Sequence, residues 1–88
     1  MSDIAQRVRA LGHSFDGRID QWRIDFALEY IDHSELSLAF ETLCTYIHEY
    51  AETLTLSEYR DVEELAKDSR VPLNPITWKA LWEMVPDH

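Results

Sequence analysis

Residues 18–51 read RIDQWRIDFALEYIDHSELSLAFETLCTYIHEYA, and this stretch decides the fold. Ile19, Trp22, Phe26 and Tyr30 recur at helical spacing, and Ile24, Leu28 and Ile31 widen the apolar sector. The spacing predicts a helix from about Arg18 to His33. Apolar residues over so much of its circumference predict packing on two sides. Ser34 is placed to cap a third helix running from Glu35 to about Ala51, with Leu36, Ala39, Phe40, Leu43, Ile47 and Tyr50 inward. The corner between the two helices is only Asp32-His33-Ser34, so the helices are expected to be antiparallel neighbours.

The flanking segments carry the same signals. A first helix is expected to start at Ser2 as N-cap, with Asp3 in its first turn, and to end at Gly12; Ile4, Val8 and Leu11 give its buried face. His13 to Gly17 reads as a short turn. Thr55 and Glu58 have capping-box spacing, and Leu54 and Tyr59 occupy the positions of a hydrophobic staple. A fourth helix follows to about Ser69, with Tyr59, Val62, Leu65 and Ala66 inward. Asn74 before Pro75 is an N-cap followed by a first-turn proline, opening a last helix to about Met84 with Trp78, Leu81 and Trp82. The whole reads as a single all-α domain over residues 1–88, a compact antiparallel bundle of four to five helices with short loops.

Composition narrows the function. Seventeen acidic side chains stand against eight basic ones, a formal net charge of −9. Direct binding of nucleic acid is excluded on charge, because a phosphate backbone requires Lys and Arg, and an anionic membrane surface is excluded for the same reason. Disorder is excluded by 45% hydrophobic and 11% aromatic residues. The natural partner of such a domain is basic. The single cysteine, Cys44, cannot form an internal disulfide, and Met1 to Arg7 has neither the basic nor the apolar region of a signal peptide; both point to a reducing cytoplasm.

Catalytic and metal signals are weak. Two isolated glycines cannot build a nucleophile elbow or a P-loop. His13, His33, His48 and His88 form no His-x-x-x-His or Glu-x-x-His pattern, so no metal or other cofactor is expected. Cys44 reads as a buried thiol with no activating cation nearby. The acids are more informative. Asp25, Glu29 and Asp32 form one stripe on the second helix, and Glu35 follows the corner. Asp61, Glu64 and Asp68 form a second stripe on the fourth. Neither has Lys or Arg regularly interleaved. The plain reading is a solvated acidic face; the sharper one is a surface complementary to a basic partner. Tyr46 falls about 80° from the Leu43–Ile47–Tyr50 stripe, on the flank of Glu35 and Glu49, where an exposed Tyr would anchor an interface.

The stretch Tyr30-Ile31-Asp32-His33-Ser34-Glu35-Leu36-Ser37-Leu38-Ala39-Phe40-Glu41-Thr42-Leu43 resembles the core pattern of small immunity proteins of the MafI type, roughly (F/Y)-(I/L)-D-H-G-E-(W/Y)-G-L-A-(F/L)-E-x-L. Tyr46-Ile47-His48-Glu49-Tyr50, the capped run from Leu56 to Ala66, Pro75 and Trp78 extend the likeness over about two-thirds of the chain. Ser34 and Ser37 stand where that pattern has glycines, and Leu36 where it has an aromatic. The resemblance implies a non-enzymatic immunity protein. Such a protein neutralises a bacterial polymorphic toxin, for instance of a contact-dependent inhibition system, by binding it one-to-one. Many of these toxins are nucleases, often tRNases, and a nuclease is basic where it holds its substrate. On this reading the binding face is Asp25, Glu29, Asp32, His33, Glu35, Tyr46 and Glu49, with Asp61, Glu64 and Asp68 as second choice. The competing reading is a small helical adaptor that recognises its partner through an apolar groove. An enzyme ranks below both.

Overall fold

The computed structural model describes residues 3–86, and these form five helices: α1 (Ile4–His13), α2 (Gln21–Asp32), α3 (Leu36–Tyr50), α4 (Leu56–Ser69) and α5 (Pro75–Glu83). Among the described residues there is no strand, only an isolated bridge between Asp16 and Ile19. The protein is an all-α helical bundle. Its radius of gyration is 12.0 Å, which matches the roughly 12 Å of a close-packed domain of this length.

α3 is the hub. It is the most apolar helix, burying Ala39, Phe40, Leu43, Cys44 and Ile47, and it packs on α1, α2 and α5, while α4 closes over α1. Arg23 near the start of α2 stacks on Tyr50 at the end of α3, so these neighbours run antiparallel, as the three-residue corner required.

The helix starts follow the chain's polar punctuation. At α4 both halves of the capping box are made: the Glu58 N–H donates to Thr55 Oγ1 (3.1 Å), and the Thr55 N–H donates to Glu58 Oε1 (3.0 Å). Asn74 caps α5 through the Ile76 N–H at 2.8 Å, with Pro75 in the first turn. At α1 the cap is Asp3, whose carboxylate accepts from the Ala5 N–H; the Ser2 cap read from the sequence lies outside the described residues. α4 ends on Arg70 in the left-handed conformation (φ 60°).

Four local expectations are corrected. Gly12 does not end α1 but lies within it, buried: a Cβ there would meet the Leu28 methyls at 3.3 Å and Ile24 at 3.4 Å, so its missing side chain lets α1 approach α2 closely. Ser34 does not cap α3; it takes the left-handed conformation (φ 59°) that turns the corner, and Glu35 is the N-cap without a side-chain cap bond. α2 begins at Gln21, three residues later than expected. His13 belongs to α1 and not to the expected 13–17 turn, within which Phe15 is fully buried.

That turn is pinned by one arginine. Arg18 stacks on the Phe15 ring at 4.2 Å, donates to the Ser14 carbonyl at 3.0 Å, and grips both oxygens of Glu58 at 2.5 and 3.2 Å. The hydrogen bonds from Arg18 hold the Glu58 carboxyl below the usual carboxylate range, helped by the Thr55 amide and opposed by partial burial. The same Glu58 therefore caps α4 and ties down the α1–α2 connection.

Two outcomes are expected. Phe15→Ala should lower the stability measured by urea unfolding by about 3–5 kcal/mol, as for a core aromatic; a loss below ~1 kcal/mol would show that Phe15 is dispensable. Glu58 contributes stability that is present above its unfolded pKa and is lost as pH falls through its lower folded value. Glu58→Gln should remove that share, so unfolding midpoints of the variant and the parent, which differ at pH 7, should converge in acid.

Candidate functional site

α2 carries two apolar stripes on nearly opposite sides. At about 100° per residue, Phe26 lies roughly 160° around the helix from Ile24. Packing on two sides is expected for α2, but the stripe Ile19–Trp22–Phe26–Tyr30 is an outer one. Ile19 is buried but precedes α2, Trp22 is 60% exposed and Phe26 47% exposed, and Tyr30 is half-buried. The inner face is Ile24, Ala27 and Leu28, with Ile31 packed against the core. The physical reason is volume. At its contact with Gly12, α2 presents the branched aliphatics Ile24 and Leu28, and Ala27 beside them keeps the face slim, where indole and phenyl rings would not fit. α2 is thus packed on one side, and its second apolar side faces solvent.

The outer stripe is ordered. The Phe26 and Tyr30 rings meet edge to face with centroids 5.6 Å apart. The Arg23 guanidinium lies between two rings, 4.3 Å from the Trp22 centroid and 3.8 Å from that of Tyr50. Its Nε is buried without a hydrogen bond, the nearest carboxylate oxygen being that of Asp20 at 3.6 Å. Stacking on both ring faces offsets that missing bond. Tyr50, expected inward, is 40% exposed, and its ring sits 5.8 Å from that of Tyr46. Tyr46 itself is not an exposed anchor; it is half-buried and packs on the core edge.

The predicted acids surround these rings unequally. Asp25 is exposed and accepts from Gln21 Nε2 at 2.9 Å. Glu29 is exposed, 3.8 Å from His33 Nε2, and these two residues join Phe26 and Tyr30 in lining a shallow notch of about 190 Å³. Glu49 and Glu35 are exposed. Asp32 is not free, because Arg9 of α1 donates to it at 2.8 Å. In the second stripe, Arg7 of α1 holds Asp68 at 2.8 Å, while Asp61 and Glu64 line a cleft beside the same Arg7. The stripes look unrelieved along their own helices, but α1 supplies an arginine to each across the bundle. Each stripe thus keeps two acids without an arginine partner: Asp25 and Glu29 on α2, Asp61 and Glu64 on α4.

What the sequence reading lacked was Trp22, Phe26 and Tyr50 as surface. The signal was present in the count of large apolar residues on α2, more than one helix face can bury.

Among the described residues no three His, Cys, Asp or Glu side chains converge to hold a metal ion, and no helix is long and apolar enough to cross a membrane. Cys44 is fully buried in α3, and burial, then the nearby Glu41, pushes its thiol far above the ordinary range. Comparison with family models, with curated proteins and with solved structures finds no match.

Cys44 should therefore be inert in the folded protein. An aromatic disulfide reagent at pH 8 is expected to modify it only after denaturant is added; prompt reaction in buffer would contradict its burial.

Proposed function

We propose that this chain is a cognate immunity protein that binds a basic toxin nuclease one-to-one through the α2–α3 face. The observation that carries the proposal is the outward stripe of Trp22 and Phe26, flanked by the carboxylates of Asp25 and Glu29 and continued across Arg23 to Tyr50 beside Glu49. Protein interfaces concentrate their binding energy in buried aromatics, with charges at the rim. The acids would steer a basic active site toward the face, and the rings would be buried on docking. Occupying that site would exclude RNA both by bulk and by presenting carboxylates where phosphates bind.

The MafI-type resemblance supports the same reading. The pattern it follows has glycine where this chain has Ser34, and Ser34 is one of two non-glycine residues with left-handed backbone among the described residues, a conformation that glycine adopts without steric cost. On this reading the protein is not an enzyme, uses no cofactor and acts in the cytoplasm, where the toxin meets its substrate. The exposed aromatics also serve the alternative, a helical adaptor that recognises its partner through apolar contact; that reading predicts affinity almost independent of salt.

The test uses the basic C-terminal domain encoded by the neighbouring reading frame. Stoichiometric inhibition of its RNA cleavage and a 1:1 complex on gel filtration are expected; neither inhibition nor complex would end the proposal. Within a complex, Trp22→Ala and Phe26→Ala should each weaken binding by about tenfold or more, mainly through faster dissociation. Asp25→Lys with Glu29→Lys should slow association and flatten its salt dependence, whereas Asp61→Lys should do little. The opposite ranking would move the site to α4.

A further inference from the structure

A second surface lies between α4 and α5. The gap between these helices is spanned by aromatic side chains: the Tyr59 ring meets Trp78 nearly edge to face at 5.9 Å and Trp82 in a tilted arrangement at 5.1 Å. Above these rings opens a shallow groove of about 490 Å³, edged by Leu56, Arg60, Glu63 and Lys79. Its apolar parts remain open to solvent, since Leu56 is 45% exposed and Trp82 39%. The volume is that of a site able to take several side chains.

The charge on its edge is unlike that of the rest of the chain. Arg7, Arg9, Arg18 and Arg23 each face a carboxylate within ion-pair distance. Among the described residues, Arg60, Lys67, Arg70 and Lys79 have no such partner, and of these four Arg60 and Lys79 stand on the two sides of the groove, one on α4 and one on α5. Lys67 follows Arg60 by two turns on the same flank of α4. In a protein of net charge −9, two unpaired cations edge this aromatic groove, against the single carboxylate of Glu63.

We propose that the α4–α5 groove docks an acidic, apolar peptide segment: a large apolar side chain against Tyr59, Trp78 and Trp82, with carboxylates reaching Arg60 and Lys79. This partner is opposite in charge to the one that suits the α2–α3 face, and it engages different helices. The two surfaces therefore share no residue.

The test reads the groove by fluorescence. Trp22→Phe leaves Trp78 and Trp82 as the only indoles. Into this variant are titrated two synthetic peptides, acetyl-EELFEE-amide and its charge-swapped form acetyl-KKLFKK-amide. The protein's net charge favours the basic peptide non-specifically, so a preference for the acidic one reports the groove. The expected result is a saturable emission change with the acidic peptide, about tenfold tighter than with the basic one and weakened by salt. Arg60→Glu with Lys79→Glu should abolish the response, and Arg60→Gln with Lys79→Gln should leave an intermediate one. Both residues are exposed, so the Gln variant should keep its circular-dichroism melting temperature; the reversed variant should stay folded but melt somewhat lower, because its new carboxylates stand one turn from Glu63, Glu64 and Glu83. No saturable response, equal or tighter binding of the basic peptide, or undiminished binding to the doubly reversed variant would each overturn the proposal.

Discussion

The contact on which the rest of the structure depends is the seating of α2 through Ile24, Ala27 and Leu28. Gly12 of α1 meets Ile24 and Leu28 where a methyl group would already crowd, and the apolar hub α3 lies against the same helix. This seat fixes the rotation of α2 about its axis. Once it is fixed, Trp22 and Phe26 have nowhere to go but outward, and Arg23 is carried to the edge where it meets Tyr50. The candidate binding face is thus a consequence of core packing and not an independent feature of the surface. A shift of α2 by one-third of a turn would dissolve both together.

Leaving two large aromatics in water costs free energy. Burying such side chains is worth about 1.5–3 kcal/mol each, and the fold forgoes that gain. Part of the loss is offset locally. Arg23 covers one face of Trp22, and Tyr30 packs its edge against Phe26. These contacts also hold the rings in place. Under the proposed function that matters, because a side chain already fixed loses less conformational freedom on docking.

The chain's local chemistry was legible and its tertiary choices were not. The capping box at Thr55 and Glu58 and the Asn74–Pro75 start are set by contacts within one turn, and α3 and α4 each have one dominant apolar stripe, so residue spacing reveals all of these except Tyr50 at the end of α3. The orientation of α2 is set by which of two apolar stripes suits the space left by α1 and α3, and the spacing is equally good for both. Phe15 lies in a turn, where no periodicity exists to mark it as core. Gly12 reads as a stop signal because glycine ends many helices; its close approach to Leu28 arises only from the tertiary packing of α1 on α2. Of the predicted face, Asp25, Glu29, His33, Glu35 and Glu49 are exposed, whereas Asp32 pairs with Arg9 and Tyr46 packs on the core edge.

The two arginines of α1 sharpen the meaning of the negative charge. Arg9 and Arg7 neutralise Asp32 and Asp68, the last acids of their stripes. Exposed pairs like these add little stability, yet they decide where net charge remains. On α2 it remains at Asp25 and Glu29, next to Trp22 and Phe26. Charges beside a partner's dry contact accelerate encounter without being desolvated, whereas charges inside it would incur the full cost of losing water. Carboxylates at the border and aromatic rings at the centre are therefore the arrangement in which a strongly acidic protein can capture a basic partner quickly and still hold it by burial.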